Sequence, residues 1–191
     1  MTDNIYAAPL SNLDERTAAG TSSRFYVVST RKLLVLYFMT LGLYHLYWNY
    51  KNWALHNEAT GEGVWPVPRA IFSIFFTHSL FREVASHDVT HERAEWNAGS
   101  YAGFMVLLVI GGNILERMAS KGLGSPLTDI ASIAFLVPTG LLLKQVQMEI
   151  NARCGDPAGR GNASFSGANI AWCVAGAVYW ALAILGIFFT D

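Results

Sequence analysis

The chain is predicted to be all-α, an integral membrane bundle of four to five hydrophobic helices, the second of them short and either interfacial or the return arm of a hairpin. Three observations predict it. Residues 33–50 form a run of eighteen uncharged residues behind the pair Arg31-Lys32, about the length a helix needs to cross a hydrocarbon core. Residues 168–189 form a second such run, of twenty-two. Only 14% of the residues are charged and mean hydropathy is +0.30, which places the chain in the membrane class. A length of 191 residues allows one domain. A net charge of −1 leaves no basic surface of the kind nucleic acid requires.

Residues 1–23 are polar and small and read as a flexible tail, with 24–191 as a single membrane-embedded helical domain. The tail carries acidic residues where a signal peptide needs a basic region and an apolar core, so the first hydrophobic stretch is expected to serve as an uncleaved insertion signal. That stretch is aliphatic at Leu33, Leu34, Val35 and Leu36, then rich in rings at Tyr44, Tyr47, Trp48, Tyr50 and Trp53. The gradient is the one expected where a helix leaves hydrocarbon for headgroups.

Within it, Thr40-Leu41-Gly42-Leu43-Tyr44 followed by Tyr47-Trp48 and Tyr50 resembles the T-L-G-[IL]-Y-x-x-Y-W-x-Y signature of a group of uncharacterised bacterial inner-membrane proteins, defined only as a domain of unknown function. The resemblance covers roughly residues 25–84. It implies a second hydrophobic helix close behind the first, hence a hairpin over 31–84, and it brings no activity and no catalytic residue. From the residues themselves, Gly42 permits close helix approach or a kink and Thr40 can bond back to its own helix.

Pro66 and Pro68 start the second helix, whose apolar part between Arg69 and Arg82 is too short for a simple crossing. Residues 83–97 are charged and helix-compatible. Further spans are predicted near 97–118, 126–146 and 167–190. In the first, Gly111-Gly112 marks a kink or a close-packing point. The next starts at Ser125 and Pro126 and bends at Pro138. Residues 144–153 read as an amphipathic extension out of the bilayer. Gly167, Ala171 and Ala175, spaced by four, give the last span a small-residue face. The glycine-rich loop 154–167 lacks the Gly-Lys-Ser/Thr ending of a phosphate cradle. Cys154 and Cys173 supply neither metal-ligand spacing nor a disulfide framework, and Cys173 reads as a small packing residue.

The positive-inside rule sets orientation. With one crossing before Trp96, Lys and Arg divide six against seven; with two crossings, nine fall on the N-terminal side against four; with none, the asymmetry is greater. An even number is therefore expected, with the N-terminus cytoplasmic and the C-terminus exported, in what would be a bacterial inner membrane.

Candidate sites are few. Glu83, His87, His91 and Glu95 follow one another at intervals of four, and paired histidines on one helical stripe can hold a transition metal with carboxylates completing the shell. The plainer reading is a solvated helix carrying ion pairs worth about 0.2 to 0.5 kcal/mol each. His45 and His78 lie in apolar segments, where they would bind a haem or relay a proton, or more simply hydrogen-bond to a neighbouring helix. Asn113 and Asn169 are expected to bond between helices. No nucleophile, base and orienting group recur together, so the sequence argues against an enzyme, and no resident cofactor is expected. The reading that follows is a non-enzymatic envelope protein whose partners are the bilayer and either a second copy or another membrane protein. The alternative is a transport or metal-linked protein using the histidines above.

Overall fold

The computed structural model describes residues 23–89 and 94–189. They form α1 (Thr30–Met39), α2 (Tyr44–Thr60), α3 (Pro66–Ile71), α4 (Ser73–Ser86), α5 (Ala98–Ser120), α6 (Leu127–Ala134), α7 (Leu136–Arg153) and α8 (Gly167–Phe189), with a 3₁₀ turn at Arg160–Asn162 and no strand among the described residues. The all-helical expectation therefore holds. Two helices are long and apolar enough to cross a membrane, Ala98–Ser120 and the nearly continuous Leu127–Arg153.

The long helices run up and down. Arg153 at the end of α7 meets the chain just before α5, donating from Nη2 to the Ala94 carbonyl at 3.2 Å. At the opposite end a tight turn returns α5 into α6, closed by Thr128 Oγ1 donating to Leu123 O at 2.8 Å. Asp129 lies in the first turn of α6, where the helix dipole favours a carboxylate. Gly111 is a close-packing point, since the Phe135 ring lies 3.0 Å from the position of a Cβ, and α5 continues through it without a break. Helix character falters at Phe135, three residues before Pro138, whose missing N–H weakens the turn between α6 and α7.

The largest departure from expectation is the first apolar stretch, which is two helices and not one. Leu41 and Gly42 take positive φ, 48° and 88°, and Gly42 is the residue that reaches that region without steric cost. Thr40 closes α1 by donating from Oγ1 to Leu36 O at 2.7 Å, and the same oxygen accepts from Tyr44 N at 2.9 Å to open α2. Counting uncharged residues measures length and is blind to this backbone reversal. The hairpin expected across 31–84 is thus folded within 30–60, and α2 continues to Thr60 with Asn49, Asn52 and His56 buried on its inner side.

The last helix meets the bundle on a different face from the one its spacing suggested. Ala171 and Ala175 are exposed, while Cys173, Gly176 and Trp180 turn inward. Trp180 Nε1 donates to Phe38 O at 2.9 Å. At Gly176 the backbones are so close that a Cβ would collide with the Met39 carbonyl. We expect Gly176→Ala to lower the melting temperature of the detergent-solubilised protein through an overpacking cost of about 1–3 kcal/mol. Gly167→Ala, which has open space around it, should leave the melting temperature unchanged in the same measurement.

Candidate functional site

The expected tail, up to residue 22, lies outside the described residues; residues 24–29, which precede α1, belong to no helix and run through the core with Phe25 and Val28 fully buried. A non-helical backbone has no partners of its own, so each buried N–H and C=O must find one elsewhere. Side-chain amides supply them. Tyr26 N donates to Asn52 Oδ1 at 3.0 Å, and Gln147 Nε2 donates to Tyr26 O at 2.9 Å. Asn151 serves Val28 on both sides, accepting from its N–H at 3.2 Å and donating to its carbonyl at 2.9 Å. Asn162 Nδ2 donates to Val27 O at 3.0 Å.

The amides are themselves held in place. Gln147 accepts from Trp48 Nε1 and donates to Asn151 Oδ1, while Asn52 donates to Trp48 O at 2.9 Å. Trp48, Asn52 and His56 share one face of α2 at intervals of four, and Gln147 and Asn151 do the same on α7. The α7 extension expected to leave the bilayer as an amphipathic arm therefore keeps its polar stripe inside.

Where this segment begins, a charged cluster forms. Arg24 Nε donates to His56 Nδ1 at 3.3 Å and its Nη2 pairs with Glu83 at 3.0 Å. Because a guanidinium only donates, Nδ1 of His56 must accept, leaving Nε2 to carry the proton toward Glu62 Oε2 at 3.2 Å. Phe25 stacks on His56 with centroids 5.7 Å apart and meets His87 edge-on at the same distance. Burial, reinforced by Arg24, holds the His87 imidazole below its ordinary pKa.

One ligand atom each from His56, Glu62 and Glu83 lies within 4.8 Å of the others, a grouping that suits a divalent ion by chemistry. The Arg24 guanidinium already bonds two of those side chains and supplies the positive charge there. The cluster is a completed ion network whose members are satisfied by one another.

The predicted metal stripe is not assembled on a helix. Glu83 sits on α4 and is committed to Arg24; α4 ends at Ser86, so His87 is already in extended backbone, and Glu95 lies in the non-helical approach to α5. His91 lies outside the described residues. Arg153, buried at the end of α7, helps to stop α4 there, donating to Ala85 O at 2.9 Å, a carbonyl that a continuing helix would use. His45 packs against the Trp48 ring at 5.9 Å and His78 is exposed on α4; among the described residues no hydrogen bond or ring contact joins them. Asn113 bonds to Val109 O in its own helix, and Asn169 caps the start of α8 through Ser166 N, so among the described residues neither bridges helices. His56 escaped the sequence reading, although its spacing from Trp48 and Asn52 was the available signal.

Comparison of the chain with protein-family models, curated proteins and solved structures finds no match.

Asn151→Leu strips both Val28 groups of their partner. At about 1–3 kcal/mol for each buried group left unsatisfied, we expect a clear loss of thermal stability in detergent, whereas Asn113→Leu, at an exposed position bonded only to its own helix, should cost little.

Proposed function

We propose that this is a non-enzymatic integral membrane protein of a bacterial inner membrane, its N-terminus cytoplasmic, that packs through its helices with a second copy or another membrane protein. The observation that carries the reading is the arrangement of polarity. Outward positions on α5, α6 and α8 are large and apolar, among them Phe104, Leu107, Leu127, Trp172 and Leu182, each more than 60% exposed. Inside, the packing includes Asn52, His56, Gln147 and Asn151, all fully buried.

Water-soluble chains rarely expose contiguous apolar surface beyond a few hundred Å², and lipid is the solvent in which such an exterior is favourable. The bilayer also explains why so much backbone bonding is internal, since hydrocarbon offers no alternative partners. The aromatic motif adds its resemblance to inner-membrane proteins of unknown role. Gly167, Ala171 and Ala175 remain uncovered on α8, which suits close approach by a further helix.

The test is fractionation of cells expressing the full chain. It should stay in the membrane pellet through carbonate washing and leave it only with detergent; a monodisperse protein in the carbonate supernatant would refute the reading. In native membranes, a cysteine at Ala171 should then form a crosslink of defined stoichiometry.

A further inference from the structure

Resting on that membrane reading, we infer that α1 and α2 form a re-entrant hairpin: the chain enters and leaves on one side, and the outer surface of the hairpin is seated among the acyl chains of a single leaflet.

Both ends of the hairpin lie at one end of the bundle. Ser29, which caps α1, donates its N–H to Asn162 O at 3.3 Å, in the loop that follows α7. Lys32, one turn in, donates to Asn162 Oδ1 and Ser164 O at 2.6 and 2.7 Å. On the return, His56 has come back to Arg24, the residue at which the buried segment starts.

The apex faces the interior of the long apolar helices, well away from their ends. Gly42 lies against Leu136, nine residues into Leu127–Arg153, and Met39 against Gly176, nine residues into the 23-residue α8. The apex is also suited to that depth. Phe38 O accepts from Trp180, Tyr37 O from Gly42 N at 2.8 Å, and Leu36 O from Thr40. Irregular backbone persists at membrane depth only when bonded within the protein.

Length and chemistry agree. From Leu43 to Lys51 is eight residues, about 12 Å of helix, against about 15 Å for half of a hydrocarbon core. Over that distance the outward side chains pass from Leu43, 70% exposed, and Leu46 to Tyr47 and Tyr50, then to Lys51. That order is a leaflet read from its centre to its headgroups. Same-side entry and exit also leaves only Arg117 and Lys121, of thirteen lysines and arginines, on the opposite side.

The test uses the full-length chain in native membranes, with Cys154→Ser and Cys173→Ala as background and one new cysteine at a time. A membrane-impermeant maleimide should label Glu58→Cys and Arg160→Cys in inverted vesicles and neither in intact spheroplasts, with Lys121→Cys giving the reverse. A nitroxide at Leu43→Cys should relax strongly with oxygen and weakly with a water-soluble nickel chelate. Labelling of Glu58→Cys on the Lys121 side would overturn the hairpin in favour of a crossing. Strong nickel access at Leu43 would overturn its seating in lipid, and protection from both reagents would replace lipid with a covering protein helix. Labelling of all three positions from both sides would instead refute the membrane reading itself.

Discussion

Much of this fold depends on one demand: the backbone of residues 24–29, placed in the core without helical or sheet partners, must have its polar groups satisfied away from water. An unpaired buried N–H or C=O costs on the order of 1–3 kcal/mol, so a segment of this kind survives only where the surroundings supply matching donors and acceptors. Asn52, Gln147, Asn151 and Asn162 supply them from α2, α7 and the loop beyond it. Because these amides also bond to one another and to Trp48, moving any one helix would break contacts on the segment and on its neighbours together. In a bilayer this coupling matters more, since apolar side chains gain little by leaving lipid for protein and packing with hydrogen bonding must hold the helices together.

The charged cluster follows from the same placement. Once the chain threads between α2 and α4, Arg24 arrives at the mouth of the core with its guanidinium among His56 and Glu83. Desolvating a cation there is offset by charge-assisted bonds, and the fixed tautomer of His56 passes the chain of donors on to Glu62. Arg153 plays a related part at the end of α7. Buried, with Glu149 one turn earlier on its own helix at 3.5 Å, it holds the carbonyls at the end of α4 and before α5. Each of these arginines ties together elements distant in sequence.

The helices whose outward faces are mostly apolar were legible from composition alone. α5 and α8 are found close to where apolar runs, small residues and polar turns placed them, because a long apolar run bounded by polar turns is a local signal that needs no distant partner to be read. What could not be read was the inward-facing part. Residues 144–153 contain polar side chains that resemble an exit into water when taken in order. Their meaning depends on the non-helical segment they serve, more than 100 residues from Gln147 and Asn151 in sequence. The stripe at Glu83, His87, His91 and Glu95 loses its helical frame after Ser86 for a similar reason. Its spacing is helical only if the helix continues, and the side chain that helps to stop it, Arg153, comes from another part of the chain.

The aromatic motif shows how one local signal can carry two messages. As a list of residues, Thr40 to Tyr50 describes a helix approaching headgroups, and its ring-rich half does lie on a helix. Yet Thr40, Leu41 and Gly42 encode a reversal, with one threonine hydroxyl serving as the stop of α1 and the start of α2. After the turn the rings divide by face: Tyr44 and Trp48 look inward, to the hydroxyl of Tyr26 at 3.2 Å and to Gln147, whereas Tyr47 and Tyr50 look outward. A straight crossing would have carried those outward rings away from the polar end of the bundle. The reversal brings them back toward it, and that return lets α2 deliver Asn52 to Tyr26 and His56 to Arg24, so the break in the helix is what places the α2 partners of the buried segment.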